Sequence, residues 1–338
     1  MYRNLNARAL GVSGHQSELI ELALTYGFKG IELDMADMAK RVEAKGAEHT
    51  CRFIVSAQQG SVQIRIGGFE LPVRWQGTEA EFKSDLEQLK AVCEVAQSLG
   101  ADRCSTDVAP ASDDKPYHEN FEFHRERLSA TAEVLAEFGI RLGLGFQAAA
   151  ADREGREYQF IYQAEPLLTL VKTIGNPNVG LTLDMWHWQV GGGGMDQLRE
   201  LAADQFVIVR LSDVPDDADL ATIEEGERLL PGQSGSSMAA ATVAMLAEVG
   251  YEGPITPIAQ PSNIGGRTRD QKMQKTRAAM DAIWEAAGLS KSKVVATEEA
   301  SQESEAPKDA EAPKDAKAPK DAKASEPEKA DKSVTVTQ

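Results

Sequence analysis

The sequence is short of several things at once, and each shortage excludes something. It has three cysteines in 338 residues, Cys51, Cys93 and Cys104, an odd number with no C-x-x-C pair. That argues against a disulfide framework or a cysteine-built zinc site and fits a reducing compartment. Positive charge is in deficit: 36 Lys and Arg stand against 53 Asp and Glu, for a net charge of −17. Gripping nucleic acid or an anionic membrane draws on clustered cations, so neither partner is expected. No apolar run reaches the length of a bilayer span, and the opening MYRNLNARALGVSG lacks the apolar stretch of a secretion signal. A cytoplasmic location is the expectation. Aromatic residues make up only 6% of the chain, yet the 42% hydrophobic content is enough for a large core.

What is present divides in two. From residue 289 onward the chain is Ala, Pro, Lys, Asp, Glu and Ser, with APKDA at 306–310, 312–316 and 318–322. A six-residue repeat with a proline in every unit neither holds a helix nor buries apolar surface, so 289–338 is read as a disordered, low-complexity tail. Its nine Lys and eleven Asp and Glu nearly cancel, so the acidity belongs to residues 1–288. A tether or a hook for an unknown partner is the functional alternative for the tail.

Residues 1–288 alternate between short apolar runs and helical patterns. The runs are ARALGV (7–12), GIEL (30–33), RFIVSA (52–57), RCSTDV (103–108), IRLGLGF (140–146), VGLTLD (179–184), FVIVRL (206–211) and GPITPI (253–258). They do not alternate polar with apolar, as befits strands buried on both faces. Helical patterns such as 80–100, 123–139 and 271–288 fall between most of them, several closing on glycine. Eight such units predict an α/β fold, the (β/α)8 TIM barrel, over 1–288. A doubly wound open sheet fits less well, because no G-x-G-x-x-G or Walker loop follows the first strand. The stretch 58–78 breaks the alternation and reads as a long loop after the third strand.

In a parallel barrel the chemistry sits at the C-terminal strand ends. The polar residues there are Glu32 and Asp34, Asp107, Gln147, Asp184 with His187, Arg210 with Asp213, and Gln260; Arg228 lies on the loop after the seventh strand. A glycine run at 191–194 reads as a flexible loop rather than a phosphate cradle. His15, His49, His118 and His124 lack the spacing of helical metal ligands and read as surface or loop residues.

LTLDMWHW (181–188), VRLSDVP (209–215), RLLPGQSG (228–235), GYEGPITP (250–257) and the stretch 99–121, taken in order, resemble the xylose-isomerase-like TIM barrels, the sugar phosphate isomerases and epimerases related to tagatose epimerase. The resemblance covers about residues 5–287. It implies one divalent metal held by Glu, Asp, His and Glu from strands five to eight, with carboxylates moving a proton between adjacent carbons. Carried onto this chain, those ligand positions fall at Gly145, Asp184, Arg210 and near Ile258, so the metal tetrad is not intact. The resemblance also makes His187 and Arg228 substrate contacts.

A guanidinium at position 210 repels a metal and is expected to pair with Asp184 in the cation's place. No metal or other cofactor is therefore expected. The reading is a sugar isomerase-like barrel that binds a sugar, a sugar phosphate or a small anion, either non-catalytic or reassigned. The alternative is an active isomerase or epimerase with a rearranged site, such as Glu32, Asp107 and His187, in which a divalent metal would return as cofactor. A DNA-repair endonuclease conflicts with the net charge.

Overall fold

The computed structural model describes residues 1–60 and 63–290. The APKDA repeats, and all of the expected tail from 291 onward, lie outside the described residues.

Eight parallel strands close into a barrel: β1 (Tyr2–Leu5), β2 (Gly30–Glu32), β3 (Arg65–Glu70), β4 (Arg103–Val108), β5 (Arg141–Phe146), β6 (Val179–Asp184), β7 (Phe206–Leu211) and β8 (Pro254–Pro257). Each pairs with its neighbour in sequence, and β1 pairs with β8 to complete the ring. Buried aliphatic side chains fill both faces of the wall, as the unbroken burial of β6 illustrates. Helices pack outside, among them Glu79–Ser98, started by a Thr78–Glu81 capping box, and Tyr117–Glu137. Among the described residues no helix is long and apolar enough to cross a membrane.

Six strands fall where the sequence puts them, and two do not. The run at 7–12 is not a strand. It carries a 3-10 turn, Arg8–Leu10, while the true first strand is YRNL, whose Arg3 and Asn4 hide its character. RFIVSA is the second error: it lies inside the helix Ala47–Gln59. Thr50, Cys51 and Ile54 face inward there, whereas Arg52 and Phe53 are exposed, so the apolar run is one stripe of a helix.

The third strand lies instead in the segment read as a loop. Its RIGGFE is buried from Ile66 to Phe69. Gly67 is required because the Asn4 side chain fills the space a Cβ would need. The loop proper is therefore shorter, following Glu70. It is held over the barrel mouth by Arg127, which donates to the carbonyls of Trp75 and Gly77, and by Arg74 on Asp85. Trp75 Nε1 in turn donates to Thr106 Oγ1 at the end of β4 (3.0 Å).

Candidate functional site

β6 ends in Asp184 and runs straight into a short helix, Met185–Val190. His187 therefore stands on a helical turn rather than on the strand end itself. Asp184 Oδ1 caps that turn by accepting the N–H groups of Trp186 (3.1 Å) and His187 (3.4 Å). Its Oδ2 accepts from Arg228 Nη1 at 2.8 Å, and both side chains are only 8% exposed. The same guanidinium lies over the Trp186 ring, 5.2 Å from its centroid. Burial by itself would raise the Asp184 pKa. The charges of Arg228 and Arg210 outweigh it and hold the carboxyl at about 2.

The pairing expected from the sequence is thus corrected: among the described residues, the guanidinium on Asp184 is that of Arg228, and no ion pair joins Asp184 to Arg210. Arg210 stands beside Asp184 in strand register, but its Nη2 donates to Ser105 Oγ (3.0 Å) and its Nη1 lies 3.8 Å from Asp107 Oδ2. The segment after β7 supplies the competing cation. It folds back as a ladder between Asp213 and Leu229, and buried Asp213 ties it down by accepting from the Ser234 N–H and the Ser237 hydroxyl. Asp213 is a loop-holding residue.

His187 is buried with both ring nitrogens engaged. Nδ1 accepts the backbone N–H of Ala148 (3.1 Å), which can only donate, so the proton of the neutral ring sits on Nε2. Nε2 faces Glu225 Oε1 at 2.9 Å. The hydrogen bond from His187, with the charge of Arg228, holds the Glu225 pKa below the ordinary carboxylate range. Nothing in the sequence singles out Glu225, one of three glutamates in EEGE.

Asp107 and Gly145 are partners in register on β4 and β5. A Cβ at position 145 would overlap Asp107 Oδ1, so the glycine leaves room for its neighbour's carboxylate. Glu32, at the end of β2, accepts from Asn6 Nδ2 (2.6 Å), Asn4 Nδ2 (3.2 Å) and Thr256 Oγ1 (3.2 Å). Burial raises its pKa, with Arg210 and these hydrogen bonds pulling the other way.

These groups surround a cavity of about 620 Å³ at the barrel mouth. Asp107, Gln147, Asp184, His187, Arg210 and Arg228 all line it, as do Ile258 and Gln260. Glu32 and Asp34 line a smaller adjoining cavity of about 250 Å³, where Asp34 caps the helix Met35–Lys45. The glycines at 191–194 join two short helices, and Gly193 packs against the Trp188 ring. His124 is not a surface residue: it is buried against Trp75 and Phe160, and burial lowers its pKa to about 4.

The donor set does not fit a divalent ion. Gly145 and Ile258 offer no side-chain ligand, Arg210 offers a positive charge, and both Asp184 oxygens are engaged. Among the described residues no three His, Cys, Asp or Glu side chains are placed to hold a metal.

The comparison with known proteins agrees with this architecture. A curated relative, the inosose isomerase of Bacillus subtilis (strain 168), is 23% identical over 124 residues, which is 37% of this chain and 41% of that protein. The match thus spans less than half of the relative's length. A xylose isomerase domain protein from Alicyclobacillus acidocaldarius subsp. acidocaldarius superposes with a TM-score of 0.75 at 22% identity, covering 85% of this chain and 99% of that one. A structure described as IOLI protein with a binding zinc atom gives 0.69 at 17% identity, covering 85% and 99%. Both likenesses are of fold. The family model for the xylose isomerase-like TIM barrel matches residues 20–283, nearly the whole barrel. The chain therefore belongs to the xylose isomerase-like TIM barrel family.

Proposed function

We propose that this barrel binds a sugar, a sugar phosphate or a similar small polar molecule in its 620 Å³ cavity without a divalent metal, as a non-catalytic or reassigned member of its family. The observation that carries this is the state of Asp184, whose oxygens serve two backbone N–H groups and the Arg228 guanidinium. A dication placed there would also stand close to two guanidinium groups, Arg210 and Arg228, at unfavourable Coulomb energy. His187 and Arg228 line the cavity as the sequence reading requires of substrate contacts, but Arg228 does so while committed to Asp184. A cytoplasmic location is part of the same proposal, supported by three free, buried cysteines.

The test is a thermal-shift and calorimetric screen of D-fructose, D-fructose 6-phosphate and myo-inositol, with EDTA and with Mg²⁺ or Mn²⁺. The expected result is stabilisation by a panel member in EDTA and an unchanged melting temperature on chelation. One tightly held metal per chain by elemental analysis, or stabilisation only when metal is added, overturns the reading.

A second reading, an isomerase or epimerase with a rearranged site, is favoured by one observation. Glu32 is a carboxyl whose pKa burial pushes upward, giving a proton carrier beside the mouth. His187 serves that reading poorly, since both its nitrogens are engaged. Incorporation of deuterium from D₂O into a carbon of any panel sugar would establish it over the first.

A further inference from the structure

Arg210 is short of partners for a group so deeply set. Its side chain is 19% exposed, and it rises from β7 in register with Asp184 on one side and Thr256 on the other. A guanidinium carries five N–H donors in a plane. Among the described residues, its one hydrogen bond runs from Nη2 to Ser105 Oγ, its nearest carboxylate contact is the long 3.8 Å approach to Asp107, and its buried Nε meets no acceptor. Buried donors are ordinarily satisfied, and a desolvated charge needs its hydrogen bonds more than a neutral group does. The cavity Arg210 lines is where further acceptors can come from.

The surroundings are built around this cation. Asp107 reaches it from β4 through space left open by Gly145 on β5, so a carboxylate is present near that position but belongs to the adjacent strand. Asp184, the other nearby carboxylate on the wall, is already neutralised by Arg228. Glu32 and Glu70 add further negative charge around the guanidinium.

We infer that Arg210 is the resident cation of this pocket: its unfilled Nη hydrogens, steadied by Ser105 and Asp107, donate to an oxygen of the ligand where a divalent ion would otherwise be needed. This rests on the proposed metal-free binding function and gives it a chemical class. A planar fork of donors matches two oxygens on adjacent atoms, and the carboxylates around it accept hydroxyl protons while opposing a second anion. The ligand is therefore an uncharged compound with neighbouring oxygens, an α-hydroxycarbonyl or a vicinal diol.

The experiment has a cation arm and a ligand arm. In the first, wild type and Arg210→Ala are titrated with Mn²⁺ and, separately, with guanidinium chloride far below denaturing concentrations, and melting temperatures are read. The expected result is that either cation raises the melting temperature of Arg210→Ala while neither raises that of wild type. Arg210→Lys, which keeps the charge and guards against a variant that does not fold, should ignore both. Stabilisation of wild type by Mn²⁺ to the same extent as Arg210→Ala, or no response of the variant to either cation, overturns the inference.

In the ligand arm, D-fructose, D-fructose 6-phosphate and myo-inositol are titrated calorimetrically in EDTA. Arg210→Ala should weaken the uncharged compounds by roughly tenfold or more, the loss expected for a hydrogen bond to a charged group. Unchanged affinity for them, or preference for the phosphate, overturns the assignment. If no panel compound binds wild type, the proposed function fails, and the cation arm still decides the role of Arg210.

Discussion

Arg228 and Asp184, 44 residues apart in the chain, meet as a buried ion pair at 2.8 Å. The pair joins the end of β6 to the segment that folds back after β7, so one contact both neutralises a carboxylate on the barrel wall and fixes the roof of the cavity. Removing either partner leaves a buried charge without its counter-ion.

Asp184→Asn or Arg228→Met alone is expected to cost about 3–5 kcal/mol of folding stability. The double variant should cost clearly less than the sum of the two, because the charge stranded by each single change is gone. Urea unfolding of the four proteins measures this. Additive losses would show that the two side chains do not depend on each other.

The same pair sets an acid limb. Asp184 has a folded pKa of about 2 against an ordinary value of 3.8, so the native state binds fewer protons than the unfolded chain between those values. Its contribution, about 2 kcal/mol, is complete above pH 4 and is lost as the pH falls toward 2. Stability curves of wild type should steepen over that interval, and those of Asp184→Asn should be flatter there. Parallel curves would contradict the assignment.

In its neutral form His187 should be the Nε2–H tautomer, because Nδ1 accepts the Ala148 N–H. Nitrogen NMR of labelled imidazole distinguishes the tautomers directly. Finding the proton on Nδ1 would mean that the Ala148 contact does not persist in solution.

Gly67→Ala is expected to destabilise the barrel by about 1–3 kcal/mol, the usual cost of overpacking. The added methyl overlaps the Asn4 side chain, and Asn4 also donates to Glu32 and Thr256. Thermal unfolding provides the measurement, with Gly60→Ala as a control at a site where an added methyl makes only ordinary van der Waals contacts.

Much of this was legible in the sequence where the chain obeys one rule at a time. The strands Arg141–Phe146, Val179–Asp184 and Phe206–Leu211 are largely apolar runs buried on both faces, and they read correctly. YRNL and RIGGFE read badly because β1 and β3 trade normal strand residues for a shared interior contact, Asn4 seated against Gly67. RFIVSA misled because five apolar or small residues in a row satisfy a strand and a helical stripe equally well. At the site, strand ends nominated Asp107, Asp184, Arg210 and the loop residue Arg228, and the fold brings them to one cavity. Which arginine meets Asp184 was not readable, since it depends on how the segment held by Asp213 folds back over the mouth.

The placement of Asp107 over Gly145 also bears on how this site can change over time. A side chain newly introduced at 145 overlaps Asp107 Oδ1 unless that carboxylate turns aside, and if it turns aside Arg210 loses its nearest carboxylate. Gly145, Asp107 and Arg210 are therefore tied to one another, so that a change at the first is felt at the third. Changes elsewhere around Arg210 leave this linkage intact, whereas a carboxylate introduced on β5 at position 145 breaks it.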